Sequence, residues 1–188
     1  AVARATVQHA GVPVIPGTEG EANLSDEELL NVAPSIGCPL LIKASAGGGG
    51  KGQREVRNIE DMPALLKAAR RESESAFGDG AVYLERMVEG ARHIEVQLLG
   101  DTHGNIIHLY ERECSLQRRR QKLVEESPSP ALDEDQRRKI GEMAVRAAQA
   151  VNYVNAGTIE CLYDKQGNIY FMEMNTRLQV EHPITERV

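Results

Sequence analysis

The sequence predicts an α+β chain. Three observations lead there. Helical periodicities and strand-like runs follow one another without the regular strand–helix–strand rhythm of a doubly wound sheet. Two short polar turns, at residues 101–105 and 165–168, each join a pair of alternating apolar runs into a hairpin. Two helices open on capping boxes, Ser25 with Glu28 and Asp133 with Gln136. At 188 residues the chain is the length of one domain rather than two, and it can bury a core without disulfide staples.

Taken in order, residues 1–10 predict the end of a helix stopped by Gly11, followed by an extended stretch to Gly17. Ser25 opens a helix with Leu29, Leu30 and Ala33 on one face, which Pro34 should end or kink before Gly37 closes it. Residues 39–44 predict a buried strand, residues 47–52 a glycine loop, and residues 53–57 a second strand. Asp61 can cap a helix to about residue 76, with Pro63 in its first turn. Strands follow at 82–85, 93–99 and 106–111, then a helix from Asp133 to about residue 151, and a final hairpin of 158–163 with 169–174.

Composition narrows the function. With 22 basic and 28 acidic residues the net charge is −6, so the chain lacks the positive field that nucleic acid or an anionic membrane surface needs. Two Phe, five Tyr and no Trp offer no base-stacking platform. No apolar run approaches the roughly 20 residues of a membrane span. Cys38, Cys114 and Cys161 form no CxxC pair and read as reduced core or near-core thiols of a cytoplasmic protein. The absence of an initiator Met and a start in mid-pattern suggest a fragment.

Consecutive glycines let backbone N–H groups curl around a phosphate, with Lys43 or Lys51 adding charge. Gly52 after Lys51 rules out a Walker A loop, and no HRD or DFG triplet supports a kinase. In the final hairpin, a four-residue loop closed by Asp164 and Ile169 would set Glu160 opposite Glu173 and Thr158 opposite Asn175, with Phe171, Glu173 and Asn175 on one face. Opposed carboxylates repel, and a divalent cation between them reverses the sign. Oxygen ligands suit Mg²⁺ or Mn²⁺. The basic run 118–122 is short and without aromatics. It suits a small anion or ion pairs with Glu125 and Glu126 better than nucleic acid. Beyond the hairpin, Arg177, Gln179, Glu181 and His182 predict an extended loop, which by spacing alone is equally a plain surface loop or a site with a guanidinium fork for a planar anion and a carboxylate base.

Three ordered stretches carry a resemblance: PLLIKASAGGGGKG at residues 39–52, ERECSLQRRRQK at 111–122, and FMEMNTRLQVEHP at 171–183. Together they resemble the ATP-grasp domain of biotin carboxylases, the component shared by acetyl-CoA, propionyl-CoA and pyruvate carboxylases. The first stretch and the Glu-x-Asn-x-Arg core of the third are similar to carbamoyl-phosphate synthetases as well. The QVEHP continuation and the CSxQRR run mark the biotin carboxylase type.

The resemblance implies an ATP-grasp fold of two lobes, residues 20–84 and 85–188, with a mobile glycine-rich flap at about 45–52 over the nucleotide, and with N- and C-terminal domains of the parent absent. It implies ATP contacts from Lys43 and the flap residues Gly48, Gly49, Gly50, Lys51 and Gly52, and an adenine-reading hinge at 85–88, with Glu85, Arg86 and Val88. It places His93, Gln117 and Arg120 near the nucleoside, Arg120 standing where the family often has His. Glu160, Glu173 and Asn175 would hold Mg²⁺. Arg177, Gln179 and the Val180 backbone would hold bicarbonate beside Lys122, and Glu181 would deprotonate it. The implied reaction is ATP-dependent carboxylation of biotin through carboxyphosphate, within a larger carboxylase that carries a biotinylated carrier domain or protein. The alternatives are a nucleotide-binding module inactive on its own and another ATP-grasp ligase such as a carbamoyl-phosphate synthetase.

Overall fold

The computed structural model describes residues 2–18, 24–47, 52–119 and 121–188, and for Val2 and Ala3 the backbone alone. Gly48, Gly49, Gly50 and Lys51 of the expected flap, and Arg120, lie outside the described residues. The chain divides into two compact units. The first comprises Ala1–Ala5 and Ile15–Val88, the second Thr6–Val14 and Glu89–Val188.

In the first unit, β1 (Leu40–Ala44) is the centre of an antiparallel sheet of order β2-β1-β3, with β2 (Gln53–Val56) and β3 (Val82–Arg86) at its sides. Helices α2 (Asp26–Ile36) and α3 (Met62–Phe77) share one core with it, built on Leu29, Ala33, Leu40, Ile42, Met62, Leu66 and Leu84. The Ser25 capping box forms as expected. Pro34, however, does not end α2, which continues to Ile36. A proline in the last turn forfeits one intrahelical bond, and the Gly37 N–H still donates to the Ala33 carbonyl at 3.1 Å. Asp61 precedes α3 with helical backbone angles and makes no side-chain cap, because residues Ile59–Asp61 already form a 3₁₀ turn.

Gly17 pairs with Glu85 of β3, and a Cβ there would sit 2.2 Å from the Leu84 carbonyl oxygen. Only glycine permits that approach.

The second unit is a five-stranded antiparallel sheet of order β6-β5-β4-β7-β8. Its strands are β4 (Arg92–Gly100), β5 (Ile106–Arg118), β6 (Gln121–Glu126), β7 (Asn155–Tyr163) and β8 (Ile169–Asn175). The C-terminal half of α1 (Val2–His9), α4 (Glu134–Gln149) and the short α5 (His182–Thr185) complete it. Strand β4 alternates strictly: Ile94, Val96 and Leu98 join Ile140, Met143, Ala144, Ala147 and Ala148 of α4 in the core, and His93, Glu95 and Gln97 point to the other face. The 101–105 turn is held by Asp101, whose backbone N–H donates to Asn105 O at 3.0 Å and whose carboxylate receives the Asn105 N–H.

Three expectations need correction. Strand β5 runs seven residues beyond Glu111, and β6 was not foreseen. Register shifts around Glu113 and Leu116 and a positive φ of 58° at Tyr110 break the alternation that would have marked a strand. The basic run therefore joins two strands, Arg118 pairing with Gln121, and its Lys122 forms ion pairs with Glu95, Glu160 and Glu181 instead of Glu125 and Glu126. Cys38 is exposed, although Cys114 and Cys161 are buried, and all three are free thiols.

The final hairpin reaches the expected pairing by another route. Tyr163, not Asp164, pairs with Ile169, which alone would throw the pair off by one residue. A register shift beyond Cys161 and Phe171 makes Met172 an extra residue, and Glu160 then faces Glu173 and Thr158 faces Asn175. The same bulge separates the faces. Phe171 lies in the α4 core beside Cys161, and Glu173 and Asn175 lie with Glu160 on the opposite side.

Candidate active site

In the first unit, β1 and β3 carry Lys43 and Glu85 on adjacent strands. Lys43 Nζ donates to Glu85 Oε2 at 2.8 Å, and Arg4 Nη1 donates to Glu85 Oε1 at 2.6 Å. Burial would favour a neutral Lys43, but the Glu85 carboxylate outweighs it and raises the lysine pKa. The amine is thus a fixed cation, 5.5 Å from the centre of the Tyr83 ring. Glu85, predicted as part of an adenine hinge, is first of all the counter-ion of Lys43 and Arg4. Its neighbours Arg86 and Val88 are half-buried, and the Arg86 N–H donates to the Pro16 carbonyl at 2.7 Å. Gly52 has φ 68° and its carbonyl accepts from Ala44 N at 2.9 Å, so it closes the base of the glycine loop.

In the second unit, the face of the sheet away from α4 is buried as well, and it is polar. Lys122 Nζ donates to Glu160 Oε1 at 2.8 Å and to Glu181 Oε1 at 2.5 Å, and it also contacts Glu95 Oε1. His93 Nε2 lies 2.9 Å from Glu95 Oε1 and 3.0 Å from Glu160 Oε2. Neither contact of His93 has hydrogen-bond geometry, and both set its Nε2 beside a carboxylate oxygen. Its Nδ1 is 3.2 Å from Gln117 Nε2, which donates to the Cys114 carbonyl at 2.8 Å. That arrangement describes the neutral ring, and protonation asks the Gln117 amide to turn its oxygen to Nδ1. Glu160 Oε1 further accepts from Asn175 Nδ2 at 2.7 Å and Gln179 Nε2 at 3.1 Å.

The electrostatics follow. Burial opposes ionisation of Glu160, but His93 and Lys122 win and depress its pKa to about 2. Burial likewise opposes a charged His93, yet Glu160 and Glu95 raise it to about 9. The pKa of Lys122 is raised by the same carboxylates against its own desolvation. For the metal-free chain the sign is definite. His93 titrates higher in the folded than in the unfolded state, so its stabilisation is complete below about pH 6.5 and disappears as pH rises through about 9. The loss amounts to about 3 kcal/mol. We expect the urea midpoint to fall across that window, and the midpoint of His93→Gln to stay flat.

The donor set suits a hard divalent cation. Glu160 faces Glu173 directly across the hairpin, Asn175 turns its N–H₂ to Glu160 so that its carbonyl oxygen is the end able to meet a cation, and buried Glu95 Oε1 has no hydrogen bond. Because Glu160 Oε1 already accepts from three donors, a cation has to meet Oε2 or displace Lys122. His93, Glu95 and Glu160 also group their ligand atoms within 4.8 Å of one another.

The loop after β8 completes this face. Gln179 is buried, with Oε1 accepting from Arg112 Nη2 at 2.7 Å, and Glu181 is held by Lys122. Arg177 is exposed, its Nη1 donating to the Leu178 carbonyl at 3.2 Å. Val180 is 92% exposed, so what it can offer a ligand is backbone. The loop ends in α5, which the sequence did not predict.

Three residues that sequence reasoning passed over are central here: Glu95, Gln97 and Arg112. The signal was present, since β4 alternation puts Glu95 and Gln97 on one face with His93, but polar residues opposite a core are ordinarily solvated.

Comparison with known proteins settles the family. The family described as "Carbamoyl-phosphate synthase L chain, ATP binding domain" matches residues 1–188. The chain belongs to it. Among curated relatives, the biotin carboxylase of Nostoc sp. is 56% identical over 186 residues, which is 99% of this chain and 41% of that protein. Among solved structures, a Campylobacter jejuni biotin carboxylase complex matches with a TM-score of 0.94 and 51% identity, over 99% of this chain and 42% of the other. The biotin carboxylase domain of a Hydrogenobacter thermophilus 2-oxoglutarate carboxylase, whose structure holds MgADP and bicarbonate, matches at 0.91 and 49%, over 98% and 40%. The chain therefore spans about two fifths of the length of these relatives. The α+β class is that of the ATP-grasp domains. Among the described residues no helix is long and apolar enough to cross a membrane.

Proposed function

We propose that this member of the carbamoyl-phosphate synthase L chain ATP-binding family is the ATP- and bicarbonate-handling part of a biotin carboxylase. One observation supports the reading above others: a single ammonium group, Lys122 Nζ, joins the proposed metal ligand Glu160 to the proposed base Glu181, at 2.8 and 2.5 Å. A site that must bring a metal-bound nucleotide phosphate and a small anion together needs such a shared cation.

In this reading the first unit bears the lid and the second the metal and bicarbonate groups. Lys43, kept charged by Glu85, binds ATP phosphates, together with Gly48, Gly49, Gly50, Lys51 and Gly52. Arg86, Val88, His93, Gln117 and Arg120 serve the nucleoside. Glu160, Glu173 and Asn175 hold Mg²⁺, which when bound offsets phosphate charge. Arg177 and Gln179, with the Val180 backbone, orient bicarbonate. Glu181 takes its proton as the bicarbonate oxygen attacks the γ-phosphorus and the bond to the ADP oxygen breaks. Arg177 and Lys122 stabilise the negative charge that develops. The carboxyphosphate formed breaks down to CO₂ and phosphate, and CO₂ carboxylates biotin on a carrier domain or protein. The scarcity of cysteine pairs fits a reducing compartment, the cytoplasm or an organelle matrix.

The test is ATP hydrolysis by the full-length parent enzyme with and without bicarbonate and biotin, followed for product. Carboxybiotin is the expected product. Carbamoyl phosphate in its place, or hydrolysis indifferent to bicarbonate, would overturn the reading.

A further inference from the structure

We propose that Arg112 is a positioning residue for the anion loop, the segment 176–181 after β8. It fixes which end of the Gln179 amide faces Glu160 and which oxygen of Glu95 faces Lys122. The inference rests on the function proposed above and goes beyond it, because Arg112 touches none of the proposed substrates.

Arg112 lies on β5 with its side chain 0% exposed. A guanidinium has five N–H donors and no acceptor, and here each of the five has a partner. Nε donates to Glu95 Oε2 at 2.9 Å. Nη1 donates to Gln97 Oε1 at 3.0 Å and Thr185 Oγ1 at 3.2 Å. Nη2 donates to Thr158 Oγ1 at 3.0 Å and Gln179 Oε1 at 2.7 Å. The partners come from β4, β7, the anion loop and α5, so one planar group ties four elements together.

Two consequences follow from the chemistry of a donor-only group. The Gln179 amide can meet Arg112 only through its oxygen, which forces its N–H₂ toward Glu160 Oε1 at 3.1 Å. Turned the other way, it would set an oxygen against a buried carboxylate. Likewise, Arg112 takes Oε2 of Glu95, so Oε1 is the atom presented to Lys122 and His93. Glu181 stands between Gln179 and Thr185, both anchored to the same guanidinium. A further tie comes from His182, whose Nδ1 lies 3.2 Å from Gln97 Oε1, itself an acceptor of Arg112. The base is thus held from both sides by a residue it does not touch.

Arg112→Lys separates positioning from charge, because lysine keeps the cation beside Glu95 but cannot span five acceptors. In the 188-residue chain, the side-chain amide hydrogens of Gln179, assigned by their absence in Gln179→Leu, should be protected from exchange in the wild type and lose protection in Arg112→Lys. In the full-length parent, kcat for bicarbonate-dependent ATP turnover should fall about 100-fold, the scale of a misplaced catalytic group, with ATP affinity unchanged. Retained Gln179 protection together with normal kcat overturns the assignment, as does a lowered melting temperature with no change in kcat below it. Should Arg112→Lys not fold, Thr185→Val removes one peripheral acceptor and must show the same direction in both readouts. A wild-type parent without bicarbonate-dependent turnover defeats the proposed function, whereas the Gln179 exchange measurement still decides the role of Arg112.

Discussion

Glu181→Gln in the full-length parent enzyme is expected to lower bicarbonate-dependent ATP turnover by at least about 100-fold, the smaller end of what a positioned general base contributes. ATP affinity should stay near the wild-type value. The substitution suits the geometry, because a glutamine oxygen can still accept from Lys122, which now donates to Glu181 Oε1 at 2.5 Å. What disappears is the ability to take a proton. A carboxylate is a weak base for bicarbonate, so in the proposed function transfer would run together with attack on phosphorus, with Lys122 and Arg177 stabilising the dianion as it forms. Rates of carboxybiotin formation and nucleotide titrations check both halves. Near-normal carboxylation would reduce Glu181 to a structural partner of Lys122.

The second large effect concerns metal. Glu173→Gln should weaken binding of Mg·ATP by at least roughly tenfold while leaving adenosine binding unchanged. Glu173 faces Glu160 across β7 and β8, and Glu160 is held ionised, with a pKa of about 2. A buried anion of that kind supplies the negative charge a divalent cation needs, and the second carboxylate adds to it. Equal losses for both ligands, measured by titration calorimetry, would place Glu173 outside the metal site.

Much of the fold was legible because it rests on local signals. The capping boxes at Ser25 and Asp133 and the Asp101 turn act within four residues of sequence, and all three form as expected. The pairing of Glu160 with Glu173 comes out as expected only because the extra residue at Met172 offsets a one-residue difference at the turn, so the register itself was not legible. Nor were strand β6 and the second half of β5, because their register shifts and the charge density of 111–122 hide a period of two. The polar face was the larger omission. Alternation shows that Glu95 and Gln97 point away from the α4 core, but not that the 176–181 loop and α5 close over that side. Glu95 ends with 0% side-chain exposure through contacts far off in sequence, among them Arg112 and Lys122. Likewise Glu111 and Glu113 turn toward the core side opposite Val96 and Ile94, where Arg137 and Arg92 neutralise them. No local rule assigns carboxylates to that position.

The extra residue at Met172 separates chain length from side-chain facing. In a regular hairpin closed by Tyr163 and Ile169, the residue following Phe171 would itself stand opposite Glu160. Met172 is thus a spacer rather than a rung of the ladder. A gap at that position would bring Glu173 into the vacated rung without exchanging Phe171 and the acidic residues between oil and polar surroundings. It would remove curvature, since a bulge bends and twists its strand. Within this hairpin, one strand position can therefore be lost without moving an acidic residue to the apolar face.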